Sequence, residues 1–276
     1  MNHSRGGSSR GPVAGMWWTG SVATLLLLVG PVSTLQAEPC RVTVEQNGFK
    51  FPVEQLDPAA LCLVEPIVNR ATTSGLVGPI TTPIPQPLYA YLLDHPVIIA
   101  SLGERFGLGS YQFTVKGHNQ FWGNDGDGTQ GLLTLLYQDQ KARLYHIDGY
   151  HEGHLFPLVL VKALVFLRTT PVMTPEGHPA VETSLVAYTR LNDPVLSALL
   201  SLLKPLVGDA IIRKLTRGFD VTTQLGLLIA KDPDRIIQEI RILPLIQPED
   251  QRMLTLLLQE LPNRTSSFQP ARTPVP

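Results

Sequence analysis

The chain has 276 residues, and its 22 Lys and Arg against 23 Asp and Glu give a formal net charge of −1. This even balance excludes the strongly basic surface on which most nucleic-acid and anionic-membrane binders depend. Hydrophobic residues make up 43% and charged residues only 16% of the chain, against roughly 25% charged in an ordinary soluble domain. The composition therefore excludes a chain that is disordered throughout and predicts a large amount of apolar surface to be hidden.

The N-terminal segment is predicted to direct export. Arg5 and Arg10 precede an apolar run, Met16–Val32, which is typical of a secretory signal peptide, and we place that peptide at residues 1–37. The run is also about as long as a short membrane-spanning helix, so an uncleaved N-terminal anchor is the alternative. We expect the protein in the bacterial periplasm or secreted, or else held by that anchor.

Cysteine usage agrees with export. Cys40 and Cys62 are the only cysteines, and an even pair in an exported chain favours a disulfide between them. Two free thiols are the alternative, because a single pair gives no framework pattern.

Residues 38–86 are predicted to form a Pro-rich N-terminal extension. Arg41–Phe51 alternates as a strand, and Asp57 followed by Pro58 is a start signal for a short helix. Thr72–Pro87 contains four prolines, which remove backbone donors and disfavour helix. We interpret this stretch as a linker or as an extension packed at an edge.

From Pro87 the pattern becomes regular. Apolar residues at helical spacing predict two short helices joined at Pro96 and ending near Gly107 and Gly109. Short alternating or apolar segments follow, separated by turn signals, and their close spacing predicts an antiparallel meander. These predicted strands are Ser110–Gly117, Gln120–Asn124, Gly131–Gln138, Lys141–Tyr150, Leu155–Thr170 and Ala180–Leu191.

A long amphipathic helix is predicted over Asp193–Lys231, where one broad apolar stripe repeats at helical spacing. Pro205 and Gly208 lie inside this pattern and predict a kink or break. A shorter amphipathic helix is predicted over Glu249–Leu261, and Pro262–Pro276 is expected to be a disordered tail.

Two short helices, a run of antiparallel strands and a long C-terminal helix form an order that resembles the START-like, or helix-grip, superfamily, which includes polyketide cyclases and Bet v 1. The resemblance rests on the strands from Ser110 to Leu191, the sequence Leu191-Asn192-Asp193-Pro194 and the helix after them. It implies an α+β fold at residues 87–235, in which a curved antiparallel sheet grips the long helix and an apolar ligand lies between them. Only Arg41–Phe51 has the pattern to serve as the superfamily's first strand, and residues 236–276 are left as a short helix and tail.

The predicted strand Leu155–Thr170 is apolar on both faces, so both must be covered. One face would contact the long helix or a cavity. The other face needs the N-terminal extension, the final helix, a partner subunit or a membrane surface.

The densest cluster of reactive side chains lies between residues 145 and 154. An extended backbone places alternate residues of this stretch on one face, where imidazole and carboxylate groups could bind zinc or act as a proton relay. A solvated polar strand face is the leading interpretation, and a polar ligand clamp and a metal site are the alternatives. Tyr188 and Arg190 lie together on the strand before the long helix, and the Arg could pair with a ligand head group. The candidate ligand-binding residues are therefore His146, Asp148, Tyr150, His154, Tyr188 and Arg190.

No metal site or cofactor is predicted. Asp125 and Asp127 on a Gly-rich loop have the start of a calcium loop, but Leu136 stands where its bidentate Glu belongs, so a hairpin turn is the better interpretation. The chain also has no nucleophile elbow, Walker loop or dinucleotide fingerprint.

The sequence is compatible with three functions. The leading hypothesis is an exported, non-catalytic protein that holds a lipid or another apolar small molecule. The second is an enzyme on the same fold, a cyclase or hydrolase that uses His146, Asp148 and His154 as acid and base. The third is an envelope scaffold, whose doubly apolar strand contacts another protein or a membrane surface.

Overall fold

The computed structural model describes residues 40–43, 45–46, 48–153, 158–191 and 204–261. Within them the protein is α+β, with a seven-stranded antiparallel sheet and helices at its C-terminal end, which confirms the predicted fold class. The predicted signal peptide, the Asp193-Pro194 helix start and the tail lie outside the described residues.

The N-terminal extension is a small folded layer. Two short strands, β1 (Glu45–Gln46) and β2 (Phe49–Lys50), pair as an antiparallel hairpin, so the prediction of one strand over Arg41–Phe51 is wrong. Gly48 lies between the two strands and has a positive φ of 76°. Helix α1 (Pro58–Val68) begins as predicted, because the Asp57 side chain accepts a hydrogen bond from the Ala60 backbone at 2.7 Å.

The sheet begins earlier than the sequence indicates. Thr73–Thr82 forms β3, which pairs with the last strand of the sheet at its edge. Of the two interpretations of this stretch, the linker is wrong and the segment packed at an edge is right. The first strand of the seven-stranded sheet is therefore β3, and not Arg41–Phe51 as predicted. Because β3 is an edge strand, Pro79 needs no ladder donor on its open side, and it lies in an irregularity of the register between Val77 and Ile80.

The two short helices are α2 (Gln86–Asp94) and α3 (Pro96–Arg105), separated at Pro96 as predicted. Six strands follow in meander order and lie close to their predicted positions. They are β4 (Gln112–Gly117), β5 (Gln120–Asn124), β6 (Thr129–Gln138), β7 (Ala142–His151), β8 (Val159–Met173) and β9 (Pro179–Leu191). The spatial order is β3-β9-β8-β7-β6-β5-β4, so the chain's first and last sheet strands are neighbours.

Three helices complete the described fold: α4 (Lys204–Lys231), α5 (Pro233–Ile242) and α6 (Pro248–Gln259). Over Lys204–Lys231 the backbone of α4 is helical through Pro205 and Gly208, so the predicted break does not occur within this span. Helix α5 was not predicted, and it begins where the Asp232 side chain accepts from the Arg235 backbone at 3.0 Å. It crosses the boundary predicted after residue 235.

The sheet curls around α4, which gives the helix-grip arrangement. At one edge the helix approaches β3 so closely that a methyl group on Gly75 would overlap the Ile212 side chain. Two residues further on, Lys214 reaches the loop between β5 and β6, which lies towards the opposite edge. We call the sheet face towards α4 the inner face and the other the outer face.

The N-terminal extension covers part of the outer face. Phe49, Phe51, Leu56 and α1 pack with side chains of β7, β8 and β9 in one buried cluster. The structure also joins Cys40 to Cys62 by a disulfide, which ties the start of the extension to α1. This cluster covers only part of the second apolar face of β8, since Leu160 on that face is 52% exposed.

Candidate functional site

The inner face is packed on one side of the sheet. Val77 of β3, Val165 and Leu167 of β8, and Leu185 and Ala187 of β9 are all buried. Apolar side chains of α4 pack against them, namely Ile212, Leu215 and Phe219. This half of the inner face is filled by protein.

The other half of the inner face is apolar but only partly covered. The cross-strand register shows that five apolar side chains of β4 to β7 lie on the same face as Val165, beside the packed side chains of β8 and β9. These side chains are partly exposed within the described structure, although they face the helix side of the sheet. They are Phe113, Phe121, Leu133, Leu135 and Ile147.

A row of three glycines lies beside this apolar surface. Gly123, Gly131 and Gly149 are register partners on β5, β6 and β7, so no side chain projects from the inner face along that row. A methyl group on Gly131 would lie 2.7 Å from the Gly149 Cα, closer than real side chains approach. The glycines therefore permit close contact: a methyl group on Gly123 would lie 2.9 Å from the Phe113 ring and 3.0 Å from the Leu133 side chain, which occupy the space beside it.

An ion-paired contact joins α4 to the β5–β6 loop next to the glycine row. Lys214 Nζ donates to Asp125 Oδ2 at 2.7 Å and to Asp127 Oδ2 at 3.0 Å. Burial alone would raise the pKa of Asp125, but hydrogen bonds from Lys214 and from the Thr129 and Asp127 backbones hold it below its usual value. The hydrogen bond from Lys214 likewise lowers the pKa of Asp127. We call this contact the α4 latch.

The loop of the α4 latch is a hairpin turn, as predicted. Asp125 Oδ1 accepts from the backbone nitrogens of Asp127 and Thr129 at 2.8 and 2.9 Å, so this carboxylate is used within the loop and by Lys214. Among the described residues, no group of three or more His, Cys, Asp or Glu side chains is arranged to hold a metal ion.

The structure places the sequence-predicted ligand residues on the outer face. His146, Leu164 and Tyr188 are register partners across three strands, and so are Asp148, Lys162 and Arg190. Both rows share the face of the cluster under the N-terminal extension. Tyr150 shares this alternation, whereas His154 lies outside the described residues.

These residues contact the N-terminal extension, which covers the outer face, and a neighbouring strand of the sheet. Tyr188 is 2% exposed and lies 5.7 Å from Phe51, measured between ring centroids. Arg190 Nη1 donates to the Pro66 carbonyl at 3.3 Å, and Asp148 lies 3.4 Å from Lys162. The predicted cluster therefore exists on one face, but that face is turned away from the space beside α4.

Among the described candidate ligand residues, His146 combines burial with a ring nitrogen that has no hydrogen-bond partner. Its side chain is 6% exposed, and the described residues give its Nε2 no hydrogen-bond partner. Burial lowers its pKa; the nearby Asp148 acts in the opposite sense, and Lys162 lowers the pKa further. A neutral imidazole on the outer face is not positioned to act on a molecule bound at the inner face.

The residues that line the inner face were not selected from the sequence. Alternation alone separates Tyr145 and Ile147 from His146 and Asp148, but it does not say which set faces α4. One available signal was the spacing of Gly123, Gly131 and Gly149, because glycine inside adjacent strands marks a bend or a close approach.

A second concave surface lies outside the grip. It has a volume of about 430 Å³ and lies between the end of α3 and the junction of α4 with α5. Its lining includes Phe106, Leu108 and Leu227, with Lys231 and Arg235 at its polar side. The Arg235 guanidinium lies 5.2 Å from the Phe106 ring centre, which is a cation–π contact.

None of the helices that the structure describes has both the length and the apolar character needed to cross a membrane. The predicted apolar run Met16–Val32 lies outside the described residues.

Comparison with known proteins gives distant structural similarity only. A conserved protein from Geobacillus kaustophilus matches at 11% identity and a TM-score of 0.40, over 58% of this chain and 95% of the other. Ara h 8.0201 matches at 11% identity and a TM-score of 0.28, over 54% of this chain and 97% of the other. No protein-family model and no curated protein matches the chain. The helix-grip assignment rests on the strand order and on the position of α4.

Proposed function

We propose that this protein is a non-catalytic, START-like carrier or sensor that holds a lipid or another apolar small molecule between the inner face of the sheet and α4. The observation that carries the proposal is the partly exposed apolar surface of β4 to β7, next to a row of glycines. Ligand sites are typically concave and mostly apolar, with few polar groups.

The energetic argument concerns the aromatic and leucine side chains on that surface. Water contact with an apolar side chain costs roughly 25 cal/mol per Å². Phe113, Phe121 and Leu133 face the helix side of the sheet yet stay partly exposed. A bound apolar molecule would remove this surface from water.

Export is the second part of the proposal. The predicted signal peptide at residues 1–37 and the Cys40–Cys62 pairing both support an oxidising compartment, the bacterial periplasm or the exterior. Contact with an envelope protein or a membrane surface at delivery would suit a carrier in that compartment.

The test uses binding of N-phenyl-1-naphthylamine, a neutral apolar dye that fluoresces when removed from water. Leu132 and Leu133 are adjacent leucines of β6 on opposite faces, and both are partly buried. We expect Leu133→Trp to fill the inner space and weaken dye binding by about tenfold or more, a loss of about 1.4 kcal/mol. Leu132→Trp on the outer face is the matched control and should bind normally.

A third variant separates the grip from the second concave surface. Leu227 is 54% exposed and lines the groove beside α4 and α5. Loss of dye binding in Leu227→Trp but not in Leu133→Trp would place the dye in that groove and contradict the proposal. Native mass spectrometry of protein from a bacterial envelope, followed by lipid extraction, would then identify the natural ligand.

A further inference from the structure

Arg143 is the largest fully buried side chain in the described structure, and its guanidinium is only partly satisfied. It lies on β7, on the inner face, in register with Leu167 and then Leu185. Nε donates to Asp94 Oδ1 at 2.9 Å, and Nη2 lies 2.8 Å from the same oxygen. Nη2 also donates to the Ala90 carbonyl at 3.3 Å.

The third nitrogen of this guanidinium has no acceptor. Nη1 is buried, and no described residue accepts a hydrogen bond from it. Buried polar groups in native proteins are almost always hydrogen-bonded, and a buried donor on a charged group is especially costly to leave unpaired. An acceptor from outside the described residues is therefore expected at Nη1.

The position of Arg143 connects it to the proposed binding space. Tyr145, two residues along β7, lies on the same face at the border of the two halves: it packs in the cluster with Phe219 of α4, and its register partner on β6 is Leu135, one of the partly exposed side chains. Burial raises the pKa of Tyr145 to about 12, so its hydroxyl stays protonated; the charge of Arg143 acts to lower this pKa and that of Asp94 to raise it. Arg143 and Tyr145 thus form a polar end to an otherwise apolar face.

Charge decides which kind of acceptor suits this end. Asp94 already neutralises the Arg143 guanidinium, so an added carboxylate would leave a net negative charge in a largely buried place. A neutral oxygen satisfies Nη1 without that cost.

We propose that Arg143 Nη1 holds the polar end of the bound molecule, and that this end is a neutral acceptor oxygen of a ketone, ester or alcohol. The inference rests on the proposed binding function and narrows its ligand class. Arg143 and Ile147 are four residues apart on β7, roughly 13 Å along the strand, so a tail of about ten carbons would reach the partly exposed apolar surface.

The experiment is displacement of N-phenyl-1-naphthylamine by 2-decanone, decanoate and 1-chlorodecane, which share a ten-carbon chain and differ in the polar end. The wild type should prefer 2-decanone to the other two by about tenfold. Arg143→Lys keeps a charge for Asp94 but removes the guanidinium fork, and it should lose that preference while still binding the dye. Arg168→Lys, on the outer face of β8, is the matched control and should keep the preference.

Asp94→Asn tests the charge argument directly. Without the carboxylate the guanidinium is left uncompensated, so decanoate should become the preferred displacer by about tenfold. An unchanged preference for 2-decanone in Asp94→Asn would overturn the charge argument, and with it the neutral-oxygen assignment.

The possible outcomes separate this inference from the proposed function. Normal dye binding with equal displacement by all three compounds would overturn the role of Arg143 and leave the binding function standing, whereas absence of dye binding would overturn both. Should Arg143→Lys fail to fold, the infrared carbonyl band of 2-decanone bound to the wild type decides. A band shifted to lower wavenumber than in hexane supports the hydrogen bond, and an unshifted band overturns it.

Discussion

The two faces of the sheet carry similar apolar side chains but differ in what covers them. On the outer face, Phe51 lies 5.2 Å from Phe166 and 5.7 Å from Tyr188, and all three are nearly inaccessible to water. On the inner face, Phe121 and Leu133 remain partly exposed although they face the helix side. Apolar alternation alone therefore does not show which face of a sheet stays accessible; the segment that covers each face decides that.

Truncating one phenylalanine on each face should expose this difference most strongly. Phe51→Ala removes a ring that is 2% exposed in the outer cluster and should cost about 3–5 kcal/mol of unfolding free energy. Phe121→Ala should cost about 1 kcal/mol, because its ring is only partly packed, but it should weaken binding of the apolar dye. Urea unfolding of the wild type and both variants measures the two costs. Equal costs would mean that the two faces are packed alike.

Untying the N-terminal extension should produce the next largest effect. The Cys40–Cys62 disulfide spans 22 residues, and a closed loop of this length stabilises by about 3 kcal/mol. The double variant Cys40→Ser with Cys62→Ser should lose stability of this order in urea unfolding. Added reductant should destabilise the wild type alone. Dye binding should persist below the unfolding transition, and its loss there would show that the outer cover also shapes the inner face.

Acidification should give the smallest change in unfolding free energy, and the group responsible, His146, lies on the outer face. Because burial lowers the pKa of His146 in the folded protein, the unfolded chain binds more protons as the pH falls below about 6.5. This contribution therefore destabilises the fold progressively from pH 6.5 down through the folded pKa, and it vanishes above pH 7. His146→Gln should show a flatter fall in unfolding free energy between pH 7 and pH 5. A parallel fall in the two proteins would assign the pH dependence to other groups.

Most secondary structure was predictable because local signals agreed with the final contacts. Pro96 separates α2 from α3, and the strands β5 to β9 follow the alternation and turn signals within a few residues. The alternation of apolar and polar residues in β4 is typical of a strand with one buried face, yet Val115 is 60% exposed. An edge strand has a neighbour on one side only, and alternation does not report that position.

The two elements that the sequence did not predict, β3 and α5, lie where a proline is compatible with two interpretations. Pro79 disfavours a central strand but is tolerated at the edge that β3 occupies, and that position is set by pairing with β9, which is distant in sequence. Asp232 followed by Pro233 was interpreted as the end of one helix, although it is also the start signal that Asp57 and Pro58 supply for α1.

The candidate site was predictable only in part, for a similar reason. The grouping of His146 and Asp148 on one face follows from alternation, and the structure bears out the grouping. Which face meets α4 depends on the distant packing of α4 and of the N-terminal extension. Arg143 gave no signal of its own, since a charged residue between apolar neighbours is also typical of a surface strand.

Because the first strand of the sheet pairs with the last, its contacts form late in the synthesis of the chain. The Leu191 backbone nitrogen donates to Thr72 Oγ1 across a separation of 119 residues. The N-terminal extension and β3 leave the ribosome first, but their partners on β8 and β9 are synthesised much later. Contacts this distant in sequence form slowly, and apolar segments that wait for them are prone to aggregate. The N-terminal extension and β3 therefore reach their final contacts only after β8 and β9 have been made, and they depend on protection until then.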